Sequence, residues 1–174
     1  MTNAGGPTSG TFDTLTEADW RAAIELTLMS VVRLCVAVVP HMRRRGGGRI
    51  IHVTSITVKE PVAGLLLSNA LRGAVTGFSK TLATELAPDG ILVNCVAPGY
   101  TRTDRVVELN EATARREGVD AAQVEQRLIA RIPMGRLGEP AEFADVVTFL
   151  ASARASYVTG ATLQVDGGFL RSIL

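Results

Sequence analysis

Two cysteines are all that the 174 residues contain. Cys35 and Cys95 each lie inside an apolar run without metal-ligand spacing, so neither a disulfide scaffold nor a thiolate metal site is expected. Buried free thiols in a reducing cytosol fit the pattern, and the chain is expected to be cytoplasmic. No His/Cys/Asp cluster argues for a metal. An excess of one charge is also missing. Lys and Arg number 18 against 17 Asp and Glu, a net charge of +1, which leaves no electrostatic case for nucleic acid or an anionic membrane. The single basic cluster, MRRRGGGR at 42–49, falls between a helical and a strand pattern and reads as a solvated turn. The longest apolar run, Leu26 to Val39, is broken by Arg33 and closed by Pro40. It is short of the roughly 20 residues of a membrane span. The opening MTNAGGPTSG has no basic n-region and no apolar h-region, so no signal peptide is expected. No GxSxG elbow accompanies His52, Ser55 or Ser68, which argues against a serine hydrolase. Neither GGPTSG (5–10) nor GGG (46–48) follows a strand and opens a helix, so neither is a dinucleotide fingerprint.

What is present is enough for one domain with a real core: 47% of the residues are hydrophobic, ordinary to slightly high for a globular protein. TEAD, Thr16 to Asp19, carries a capping pattern. A helix apolar nearly all round is expected from there to about Met42, bending near Pro40. A helix without a polar stripe is covered on both sides, one by a sheet and the other by a further subunit. A strand is expected at 49–54. A second helix runs from about Leu67 to Leu86, stopped by APDG, and a continuous apolar strand follows at 91–99. Residues 104–131 are charged and helix-prone, a solvated flap. Pro140 opens a helix at 139–152, and a last strand lies at 161–168. This alternation predicts an α/β fold with a parallel sheet and crossover helices. Ligands bind beyond the carboxyl ends of such strands. That rule selects Ser55 and the loop Pro98–Thr103. Asn3 to Gly6 would be a third such loop, but only two residues precede it. Three smaller readings follow: His52 as a packed strand histidine, His41 as a helix-end cation, and Asp166 as a turn residue.

Five segments in order resemble a short-chain dehydrogenase/reductase: TNAGG, GRIIHVTS, NCVAPGYTRT, GRLGEPAEFADVVTFLAS and YVTGATLQVDGG. The resemblance implies a Rossmann-like doubly wound parallel sheet, here without its first three strands and its glycine-rich phosphate loop. It implies a single partial NAD(P)-binding domain over 1–174. NAD or NADP would be the cofactor, and a small carbonyl or alcohol the substrate, as in a 3-oxoacyl reductase. Subunits would pair as a homodimer or homotetramer through the helices near 16–42 and 67–86.

By the same resemblance, Ser55 matches the catalytic serine. The family's tyrosine stands thirteen positions after that serine and its lysine four later; those positions hold Ser68 and Arg72 here. The family's helix asparagine matches Thr27. Asn3, Ala4, Gly5, Arg72, Pro98, Gly99, Thr101 and Thr103 would meet the cofactor, and Ser55 and Tyr100 the substrate. A serine hydroxyl is a far weaker acid than a phenol, whose pKa is about 10. Arg72 stays charged and can hold charge without relaying protons. The rival reading is an inactive remnant kept for subunit association.

Overall fold

Thr16 opens the first helix as expected. Its hydroxyl accepts from the Asp19 N–H and the Asp19 carboxylate accepts from the Thr16 N–H, a complete capping box. The structure, a computed structural model, describes residues 1–172. Helix α1 (Glu17–Ala23) runs into a π-helical segment, Ile24–Met29, and then into α2 (Ser30–Arg44). The irregularity therefore lies around Thr27 and not at Pro40, where helix continues to Arg44. Pro40 cannot donate to the carbonyl four residues back, that of Val36, and Val36 is 70% exposed. The unpaired carbonyl belongs to a residue at the solvent surface, which makes the proline tolerable.

Among the described residues the sheet has three parallel strands in the order β1 (Gly48–Val53), β2 (Ile91–Pro98), β3 (Thr162–Val165). Each expected strand is shorter or shifted. β3 in particular stops at Val165, because Asp166 accepts from the N–H groups of Gly168 and Leu170 and turns the chain. A further partner joins the sheet at an isolated bridge. Thr2 bridges His52 from the outer edge of β1, donating to the Ile51 carbonyl at 2.9 Å and accepting from the Val53 N–H at 3.0 Å. The segment Asn3–Gly6 thus leaves the sheet edge as a loop at the carboxyl ends of the strands, although no full strand precedes it.

Helices cover both faces. On one, Val31, Cys35 and Val39 of α2 and Val75 and Ala83 of α3 (Leu66–Leu86) pack on Ile50, Ile91 and Val93. On the other, Leu150 of α6 (Pro140–Ala151) packs with Ile51 and Val96. Neighbours Ile50 and Ile51 face opposite ways because strand side chains alternate. Each buried Val, Leu or Ile among them contributes about 1.5–3 kcal/mol. The α3 stop is as expected: Gly90 takes φ +70° after a short 3-10 turn. The charged stretch resolves into α4 (Asp104–Glu117) and α5 (Ala121–Ile129). Of MRRRGGGR, 42–44 end α2 and 48–49 open β1; 43–46 are exposed, and Arg43 pairs with Asp89 at 2.7 Å.

Only one face of α2 is covered. Leu34, Val36 and Val38 are exposed. The stretch Glu17–Arg44 is, by length and composition, long and apolar enough to cross a membrane. The apolar run Leu26–Val39 is the middle of that longer helix, whose ends carry Glu17, Asp19, Arg43 and Arg44. Both cysteines are buried and free.

Candidate active site

The carboxyl ends of β1 and β2 open into a cleft of about 700 Å³. β1 ends at Val53, and Ser55 then caps a 3-10 turn, its hydroxyl accepting from the Thr57 N–H at 3.2 Å. β2 ends at Pro98. Gly99 follows where a Cβ would lie 2.6 Å from the Cβ of Asp166, so only glycine lets the loop pass there. Thr103 then stands before α4 and donates from Oγ1 to the Thr101 carbonyl at 3.3 Å.

Most of the expected residues meet in this cleft. Ser55, Ser68 and Arg72 line it together, with Asn3 and Gly5. Pro98, Gly99, Tyr100, Thr101 and Thr103 line it from the loop after β2. Ala4 and Thr27 do not. Thr27 is fully buried in the π segment, and its hydroxyl has no partner.

Arg72 is placed differently from the expectation of a side chain free to meet a ribose. It is buried, and burial lowers its pKa. Its Nη1 donates to the Val53 carbonyl at 2.7 Å, and its Nη2 donates to the Gly5 carbonyl. A guanidinium has five N–H donors, and these bonds use two of them. The bonds tie α3 to the last residue of β1 and to the loop after Thr2. A buried cation held by main-chain carbonyls is a fixed positive charge beside Ser55 and Ser68.

Tyr100 packs edge-on against Phe169, ring centroids 5.1 Å apart. Burial pushes its phenol pKa up, while the charge of Arg131 opposes the rise. It is therefore protonated throughout the neutral range and a poor proton donor there. His52 is a packed strand residue, as expected. Its Nδ1 lies 2.8 Å from the Thr2 hydroxyl and its Nε2 3.8 Å from the Cys35 sulfur. Burial lowers its pKa to about 4 and raises that of Cys35 to about 11. Among the described residues no His, Cys, Asp and Glu group could hold a metal ion.

Sequence reasoning missed Arg105. It lines the cleft and donates to the Pro7 carbonyl at 3.0 Å, linking α4 to the N-terminal loop. Nothing local marks it, because it is one arginine among many in a charged helix.

A family model described as enoyl-(acyl carrier protein) reductase matches residues 1–170. The Nodulation protein G of Azospirillum brasilense is 38% identical over 168 residues, 97% of this chain and 64% of the relative. The 3-oxoacyl-(acyl-carrier-protein) reductase of Vibrio cholerae is 39% identical over 170 residues, again 97% and 64%. Among solved structures, the L-sorbose reductase of Gluconobacter frateurii, complexed with NADPH and L-sorbose, superposes with a TM-score of 0.90 at 37% identity. That match covers 98% of this chain and 65% of the other. An actinorhodin polyketide ketoreductase with NADPH gives 0.93 at 34% identity, covering 98% and 66%. The chain thus spans slightly under two thirds of the curated relatives it matches. None of these similarities favours the reading of an inactive association remnant.

Proposed function

The chain belongs to the short-chain dehydrogenase/reductase family, and from that premise we propose that it forms the substrate- and nicotinamide-facing part of an NAD(P)-dependent carbonyl reductase. The observation that carries this reading is the meeting of Ser55, Ser68 and Arg72 with the Pro98–Thr103 loop in one cleft at the carboxyl ends of parallel strands. The chain's residues fit the nicotinamide end of NAD(P): Gly99 keeps the loop tight against Asp166, and Thr101, Thr103 and Arg72 line the cleft. Bound NADPH or NADH would supply the hydride.

The chain's own groups would handle the substrate oxygen. The Ser55 hydroxyl donates to the carbonyl, fixing it in the cleft. As charge builds on that oxygen, the fixed guanidinium of Arg72 stabilises it in a partly dry site, where such an interaction is stronger than in water. Ser68 supplies a second neutral donor one helical turn from Arg72. Neither serine is acidic enough to be the proton reservoir at neutral pH. The alkoxide therefore takes its proton from water, relayed by the Ser55 hydroxyl, and the alcohol leaves. Substrates of the 3-oxoacyl class fit this reading, since the V. cholerae relative is named for that reaction.

The exposed apolar face of α2, with Leu34, Val36 and Val38, suits a second copy of the chain, giving a homodimer or homotetramer. The free buried thiols suit a cytoplasmic setting. Calorimetric titration with NADPH and NADH, followed by turnover of a panel of 3-oxo esters, tests the assignment. Micromolar cofactor binding and oxidation of NADPH that requires the ester are expected. No binding of either nucleotide by the chain would sink it.

A further inference from the structure

A second cavity of about 280 Å³ lies between α4, α5 and the loop before α3. It shares Val62, Leu65, Tyr100 and Leu109 with the cleft, so the two cavities are neighbours. Its charge is unlike the rest of the site. Three guanidinium groups line it, those of Arg116, Arg127 and Arg131, against the single carboxylate of Glu117. Glu117 is divided between Arg127 at 3.1 Å and Arg116 at 3.7 Å. Arg131 has no carboxylate partner among the described residues. It is held instead over the Phe169 ring, 4.8 Å from the centroid, and Phe169 is the ring that packs edge-on against Tyr100.

Asn110 of α4 stands in the same wall and is 7% exposed, with its Nδ2 closed off from the lobe. Planar guanidinium forks match carboxylate and phosphate oxygens bidentately.

We propose that this lobe is an anion subsite that receives the distal carboxylate or phosphate of a substrate whose carbonyl lies at Ser55. The proposal rests on the reductase reading for the position of that carbonyl. It names the substrate class: oxo compounds ending in an oxyanion, not neutral ketones. Arg131 is the principal contact, and Arg127 and Arg116 shape the rim.

Calorimetry on the whole chain tests this without turnover, using 3-oxohexanedioate, its neutral dimethyl ester and 3-oxobutyl phosphate. At least one of the two anions is expected to bind about tenfold tighter than the diester, the value of one charge-assisted pairing. Arg131→Gln should weaken that preference, and the double variant Arg127→Gln, Arg131→Gln should erase it. Both side chains are exposed, so folding is not at risk, and melting curves check this. The tighter of the two anions tells carboxylate from phosphate. Equal affinity for diester and both anions overturns the subsite, as does a preference that survives the double variant. NADPH is titrated in parallel. Its failure to bind while the anion preference stands removes the reductase reading alone, and its binding with no anion preference removes the subsite alone.

Discussion

Arg72 donates from Nη1 to the main-chain carbonyl of Val53 at 2.7 Å, and through Nη2 it also reaches Gly5. One side chain of α3 thus joins the last residue of β1 to the loop that leaves Thr2. The contact is structural and electrostatic together. It closes one wall of the cleft and fixes a positive charge beside Ser55. Replacing Arg72 by Met leaves two carbonyls without their donor in a buried setting. The expected cost is about 3 kcal/mol, a fall of about 6–12 °C in Tm for a chain of this size. Differential scanning calorimetry measures it. A Tm unchanged in Arg72→Met would show that these bonds do not form in solution.

Ser55→Ala separates catalysis from folding. Its hydroxyl caps the 3-10 turn through Thr57, and losing such a cap costs about 1 kcal/mol. Losing a donor to a developing oxyanion costs about 10²–10³-fold in kcat. Steady-state turnover of a 3-oxo ester should fall by that much while the Tm moves only a few degrees. Full activity in the variant would remove Ser55 from the reaction.

Much of this was legible locally and some of it was not, for a physical reason. The nearly all-round apolar character of residues 26–39 predicts the helix without telling its sheet face, Val31, Cys35 and Val39, from its exposed face, and the unbroken apolar run of β2 predicts a buried strand. The capping box at Thr16 and the αL glycine at Gly90 are written in a few adjacent residues. The family spacing brings Ser55, Ser68 and Arg72 to one cleft, and the structure places them there. What escaped were pairings between residues far apart in the chain. Thr2 with His52, Arg72 with Gly5 and Arg105 with Pro7 each join the N-terminal loop to a distant element. No periodicity records such contacts. The π segment at Ile24–Met29 escaped because the apolar pattern on both sides of it is helical throughout.

The Ser68/Arg72 pair allows a test by gain. The spacing to Ser55 matches the family's tyrosine and lysine. The double variant Ser68→Tyr, Arg72→Lys should therefore place a phenol beside an ammonium in the cleft. General acid catalysis contributes typically about 10²–10⁴-fold, so turnover should rise by at least about a hundredfold over the wild-type chain. Its pH–rate profile should gain a limb that the wild type lacks. Some stability is lost with the Arg72 bonds, and a parallel melt records it. A well-folded double variant with no gain in rate would place the proton donor elsewhere.

His52 should make stability depend on pH in one direction. Burial holds its folded-state pKa at about 4, against 6.5 for the free side chain. Between those values the unfolded chain binds a proton that the folded chain does not, so unfolding becomes easier as pH falls. The full contribution is present above about pH 6.5 and is lost progressively as pH drops toward 4. The shift corresponds to roughly 3 kcal/mol. Urea midpoints for wild type and His52→Gln, measured from pH 7.5 to 4.5 (about the range the two values span), give the test. The wild-type midpoint should fall more steeply than that of the variant, and parallel curves would mean that His52 titrates alike in both states.

The exposed face of α2 sets the last expectation. Val36 is 70% exposed and Leu34 49%, on a helix whose opposite face is already committed to the sheet. Burying such side chains against a second copy stabilises association by about 1.5–3 kcal/mol each. Light scattering at micromolar concentration should therefore report a dimer or tetramer. Val36→Lys leaves the sheet-facing side untouched and places a charge where a partner would pack. It should yield monomer with an unchanged circular dichroism spectrum. A wild-type chain that is monomeric at that concentration would leave the face without the partner assigned to it, whatever the variant does.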